Sequence, residues 1–224
     1  MKKEFKLCLF ALIMFNVISC NPLVPENELI NEEKIALDVV YKSLGNTPAQ
    51  LADSILSKGF YEGEYSPQYR YHQFFSLDTK KNYNKSDLLV VEMMWDAKEH
   101  FEIIAVHRGG IQKMDNPVEY FKRVSDLVAK YGYTEWLGQH YIDDGKNKVT
   151  ESYSDRKEFL SKMDLSSLKE MDTDETFTET FIYTHDDNSK WKGTLYFNKD
   201  IQTGIYEGEH VLYMEYAFIL EPIK

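Results

Sequence analysis

"HVLYMEYAFIL", residues 210–220, is the stretch on which the reading of this fold turns. Successive side chains of a strand point to opposite faces, so Leu212, Met214, Tyr216, Phe218 and Leu220 share one side. Val211, Tyr213, Ala217 and Ile219 make the other side apolar too, with Glu215 the one charged residue among them. A strand that is apolar on both faces belongs at the centre of a sheet, or under cover on both sides. Upstream, "KWKGTLYFN" (190–198) and "TFTETFIYTH" (176–185) read as two more strands, rich in aromatic and β-branched residues. The polar run "THDDNSK" (184–190) joins them. It offers His185, Asp186 and Asp187, but this composition is that of a turn more than of a metal site.

The same order, helix then strands, occurs twice along the chain. In the first half, Asn31-Glu32-Glu33 followed by Ile35, Val39, Val40 and Leu44 suggests a helix closed by Gly45, although "LDVVY" could also be extended. "NTPAQLADSILSKGF" then reads as a helix with Thr47 as cap and Pro48 in the first turn. Leu51, Ile55 and Leu56 lie on its inner face, and Gly59 ends it. Three strands are expected after it, at 69–77, 88–96 and 101–109. In the second half, Asn116 caps a helix with Pro117 in its first turn, Tyr120, Phe121, Val124 and Val128 inward, and Gly132 at its end. "EWLGQHYI" and "KVTESYS" follow as a hairpin about Asp144-Gly145. A short helix is expected through Phe159, Met163 and Leu168, ahead of the last three strands.

A shift of 73 residues lays Leu51, Asp53, Ile55, Gly59 and Phe60 over Val124, Asp126, Val128, Gly132 and Tyr133. Either the chain carries an internal duplication, or the coincidence reflects the caps and glycines that helices use in general. The expected fold is α+β, with antiparallel sheet or sheets and helices packed on one face, in two tandem helix-plus-meander units at 31–112 and 113–224. The doubly apolar last strand needs more cover than its own meander gives, so the two units should form one cooperative body. In element order alone, such tandem units resemble those of the β-lactamase-inhibitor-protein type and of small outer-membrane assembly lipoproteins.

The N-terminus speaks to location. "MKKEFK" is basic, Leu7 to Ile18 is apolar but too short for a membrane span of about 20 residues, and a small residue precedes the break. Val17-Ile18-Ser19-Cys20 resembles the lipobox of bacterial lipoproteins. That resemblance implies that residues 1–19 are a signal peptide, that Cys20 is lipidated, and that residues 20–30 are a polar tether. Asn21 after the cysteine favours the outer membrane, without saying which side the domain faces. Removing the signal takes Lys2, Lys3, Lys6 and Glu4 with it, moving the formal net charge from −11 to −13. So acidic a surface repels nucleic acid and anionic headgroups, and neither is expected as a partner. Cys8 leaves with the signal, so no free thiol remains for a disulfide, a zinc site or a nucleophile.

None of the sequence motifs for nucleophile elbows, dinucleotide or phosphate loops, zincins or EF-hands is present. "DDGKNKVTE" fails the calcium-loop spacing and suits a hairpin. His100 and His107, seven apart, should face opposite ways and share no metal. No cofactor or metal is expected. What stands out is the aromatic content, with 16 Tyr, 13 Phe and 3 Trp. Tyr61, Tyr65, Tyr69 and Tyr71 crowd the region after the first helices and are the candidate binding residues, although most aromatics here alternate as core residues do. Two readings stay open. One is a non-catalytic envelope lipoprotein that binds a protein partner, as an assembly factor or inhibitor would. The other is a surface lipoprotein that holds glycans on exposed aromatics. An enzyme without a recognisable motif is a weaker third.

Overall fold

A computed structural model describes residues 26–76, 88–111, 114, 116–164, 173–203 and 210–223. The signal peptide, Cys20 and the start of the tether lie outside the described residues, as does Leu168. Among the described residues there are four helices and nine strands. The helices are α1 (Glu26–Lys42), α2 (Pro48–Leu56), α3 (Pro117–Ala129) and α4 (Arg156–Lys162). The strands are β1 (Tyr61–Ser66), β2 (Tyr71–Phe75), β3 (Val90–Trp95), β4 (Phe101–Arg108), β5 (Glu135–Asp143), β6 (Lys148–Tyr153), β7 (Asp174–Thr184), β8 (Lys190–Thr203) and β9 (His210–Pro222).

All nine strands join one antiparallel sheet in the order β1-β2-β3-β4-β9-β8-β7-β5-β6. The class is α+β, and the sheet is open. The last strand sits fifth of nine, pairing with β4 on one side and β8 on the other. That is where a strand apolar on both faces is stable. Met214, Tyr216, Phe218 and Leu220 are buried on the side of the helices, and Ala217 is buried on the other.

Every recorded contact from helix to sheet lands on the same alternate positions. Arg108 and Tyr216 meet α1, Glu179 and Tyr183 meet α3, and Trp136 and Phe177 meet α4. The helices therefore form one layer on one face. Local chemistry explains their bounds. Thr47 and Gln50 close a capping box at α2, Asn116 caps α3 with Pro117 in its first turn, and Asp155 caps α4. Gly59 and Gly132, 73 residues apart, both take positive φ (87° and 74°) as the chain leaves α2 and α3.

Several expectations are corrected. α1 starts at Glu26, so residues 26–30 are helical and not tether, and Asn31 lies inside the helix. Ile35 and Leu56, expected inward, are exposed. The second unit is no simple meander: β6 takes the edge, and β5 pairs with both β6 and β7. The reason is burial. β5 hides Gly138 and His140, whereas β6 is exposed at every residue but Tyr153, so β6 can afford the edge. β1 is not among the strands expected from sequence, because five of its six residues are not buried and a bulge falls between Glu62 and Tyr65. β3 buries side chains on both faces, Val91 and Met93 on one and Val90 and Glu92 on the other.

Candidate functional site

Beneath the helices lie ionic clusters built from strongly buried residues. Glu33 of α1 is fully buried, where it accepts hydrogen bonds from Arg108 Nε (2.8 Å), the Tyr216 hydroxyl (2.6 Å) and the Tyr120 hydroxyl. Arg108 also reaches Glu32 at 2.7 Å. Burial works against the Arg108 charge, but Glu33 beside it outweighs that and its pKa is raised. A second cluster centres on Glu179 of β7, also fully buried, with Ser125, Arg156 and Trp136 as donors. Burial lifts the Glu179 carboxyl above its usual range, and those donors only partly offset it. A third joins Lys199 to Glu175 (3.4 Å), with His140 2.9 Å from the same carboxylate. Each buried carboxylate here has a cation against it. These clusters fix helix to sheet and strand to strand, with the carboxylates of Glu33 and Glu179 fully buried at their centres.

The other face of the sheet is different. No described helix covers it. The strand registers lay two rows of side chains across it. One runs Gln73, Glu92, Ala105, Ile219, Thr194, Thr180, Leu137, and the next runs Phe75, Val90, His107, Ala217, Tyr196, Thr178, Gln139. Both rows cross all but the edge strands, and so both halves of the chain. Small residues, Ala105, Ala217 and Thr194, make a buried floor, with half-buried Tyr71, Tyr196, Tyr213, Ile103 and Ile219 standing around it. Glu92 is the buried polar group at the first-half end. It accepts from the Tyr71 hydroxyl (2.9 Å) and Gln73 Nε2 (2.6 Å). His107 Nε2 lies 3.5 Å from it, without a hydrogen bond. Burial would raise the Glu92 carboxyl; His107, Tyr71 and Gln73 together outweigh it and lower the pKa.

The second-half end is acidic. The row Tyr213, Asp200 sits beside Asp174, then Asp143 and Lys148. Burial, with Glu215 and Asp174 nearby, pushes the Asp200 carboxyl up to about 6. Asp143 is held low by Lys148 at 2.9 Å.

The four tyrosines singled out from sequence do not form one patch. Directly paired residues share a face, so Tyr61, opposite Phe75, is on the uncovered side with Tyr71. Tyr65, opposite His72, is on the helix side, its ring 4.6 Å from that imidazole. Tyr69 is in the β1–β2 turn. Tyr61, Tyr65 and Tyr69 are exposed, whereas Tyr71 is half-buried. Sequence reasoning missed Tyr196, Tyr213 and Tyr141 on the same face; the alternation in β8, β9 and β5 was the available signal. His100 is in the β3–β4 turn, 3.5 Å from Asp96, and His185 is 3.3 Å from Asp187 in its own turn. Among the described residues no three His, Cys, Asp or Glu converge as metal ligands, and no helix is long and apolar enough to cross a membrane.

No family model matches the chain, and no curated protein or solved structure is significantly similar to it.

Proposed function

We propose that this chain is a non-catalytic envelope lipoprotein, anchored through Cys20, whose uncovered sheet face docks a protein partner in the manner of an assembly factor or inhibitor. The observation that carries the reading is the make-up of that face. It is broad, it crosses both halves of the chain, and it mixes tyrosines with aliphatic and small side chains around a few buried polar groups. Protein-binding surfaces have this character, with rigid aromatics as anchors and little charge at the centre. A glycan platform needs neighbouring rings exposed in one plane. Tyr61 and Tyr65 sit on opposite sides of the sheet, which favours the protein reading over the glycan one.

The test is photo-crosslinking in the native envelope. A photoreactive residue at Thr178 or Gln139, both on the uncovered face, is expected to trap one discrete protein, while the same residue at Lys34 of α1 traps none. Equal trapping from Lys34, or none from either sheet position, would sink the reading.

A further inference from the structure

Resting on the Cys20 anchor proposed above, we infer that the lipid surface meets this chain at the end of the sheet where α1 begins. The central strands then rise away from the bilayer, and the turns at 96–100 and 185–189 form the outer rim.

Five residues, 21–25, separate Cys20 from the start of α1. Fully extended, that stretch reaches about 20 Å. The helix it leads into is fixed to the body. Leu29 and Ile30 pack against the core. Glu32 accepts from Ser76 Oγ (2.9 Å), just past β2, and from Arg108 Nη2 (2.7 Å), at the end of β4. The acyl chains are therefore tied to the end of the sheet where β2 and β4 finish.

The far end of α1 lies at the opposite end of the strands. Tyr41 stacks on Tyr131 at 4.3 Å, and its ring is 5.8 Å from Tyr183, near the end of β7, and 6.2 Å from His185 in the turn that follows. α3 runs the same way. Tyr120 near its start donates to Glu33, and the Val128 carbonyl in its last turn accepts from Tyr183 (3.2 Å). The strand registers carry both levels onto β9. Arg108 is level with Tyr216, whereas Tyr183 and Trp191 are level with Pro222. Phe101, which opens β4, has its ring 6.3 Å from Trp191, so the 96–100 turn belongs to the same rim.

Magnitudes decide which end faces lipid. β9 covers about 20 Å between Tyr216 and Pro222, and α1 extends about 10 Å back beyond Glu33. The rim thus stands on the order of 30 Å from the start of α1, more than a tether of about 20 Å can make up. Only a body lying on its side would bring the rim to the bilayer. That posture presses a chain of formal net charge −11 against the headgroups over its length, which anionic lipid opposes. Standing on the α1 end, the uncovered face meets lipid at its strand ends and stays open along its length to a protein partner.

The test reads distance from the bilayer. Cys8 leaves with the signal and Cys20 is lipidated, so an introduced cysteine is the single thiol and takes one fluorophore. Asn31→Cys in α1 and Glu119→Cys in α3 mark the α1 end; Lys98→Cys and Asp186→Cys mark the rim, and all four positions are exposed. The lipidated full chain is reconstituted into phosphatidylcholine vesicles that carry an energy-transfer acceptor on the headgroup. Transfer from the first pair is expected to exceed transfer from the rim pair at least twofold. The same labels on the Cys20→Ser chain are expected to give none. Equal transfer from all four, or more from the rim, overturns the orientation and leaves the anchor standing. Transfer in the Cys20→Ser chain would show the body adhering through its own surface, and overturns the inference as well. A chain with Cys20 intact that fails to float with the vesicles removes the anchor reading itself, and this inference with it.

Discussion

Glu33 shows how a single residue can defeat the reading of a helix and yet hold the fold together. The apolar spacing of α1 places Ile35 inside and the acidic pair Glu32-Glu33 in water, but Ile35 is exposed and Glu33 is fully buried. Nothing in the segment itself signals this. The partners are Arg108, Tyr120 and Tyr216, between 75 and 183 residues away in sequence. A buried pair contributes little over an apolar substitute, but removing one member strands the other. Arg108→Met is therefore expected to cost about 3–5 kcal/mol in urea unfolding, and adding Glu33→Gln should recover part of it. If the single variant loses under 1 kcal/mol, roughly what a surface change costs, the cluster is not as tight as drawn. Asp200 makes the opposite prediction. Its folded carboxyl titrates near 6, above the ordinary 3.8, so the folded state binds the proton more tightly and loses stability as pH rises through that interval. Asp200→Asn should then stabilise the chain at pH 7, by about 1 kcal/mol once solvent screening of a half-exposed group is allowed for, with the gain gone by about pH 4. Thermal melts at the two pH values decide it; an equal effect at both contradicts the assignment.

The strands were legible in proportion to their burial. β3, β4, β7, β8 and β9 announce themselves through runs of aromatic and β-branched residues that two neighbours and a helix layer require. β1 and β6 sit at the edges, where one partner suffices and polar residues are tolerated, so "YEGEYS" carries no strand signal at all. What sequence could not say was which strand takes an edge. The hairpin of β5 and β6 was readable, but placing β5 inward depends on Gly138. A Cβ there would lie 2.6 Å from the Trp136 ring and 2.9 Å from Phe159. Gly193 in β8 plays a similar part under two rings, with an added Cβ 2.6 Å from Tyr183 and 2.8 Å from Phe218. Neither ring can retreat from a filled core, so Gly193→Ala is expected to destabilise by about 1–3 kcal/mol, as overpacking does. Chemical denaturation measures this, and a neutral or stabilising outcome would show that the rings have room.

For the molecule as a whole, the decisive clue was the last strand. Being apolar on both faces, β9 required company on both sides, and it finds β4 from the first half and β8 from the second. One sheet with one helix layer follows, and with it a second face that both halves share. Sequence pattern could establish that need but not the seam, because pairing two strands more than 100 residues apart is set by tertiary fit and not by local signal. The candidate tyrosines suffered the same limit: spacing counted them as neighbours, and the bulge in β1 sent Tyr61 and Tyr65 to opposite sides. The acidic end of the face became visible only once the registers of five strands were known.

The seam between β4 and β9 is thus what the account stands on, and nuclear Overhauser contacts in the lipid-free chain test it most directly. Cross-strand contacts are expected between Ala105 and Ile219 and between His107 and Ala217. A soluble paramagnetic agent should at the same time broaden Gln73, Thr178 and Gln139 on the uncovered face. If β9 shows contacts to β8 alone while the amides of β4 exchange freely with solvent, the two halves are separate sheets, and the shared docking face does not exist.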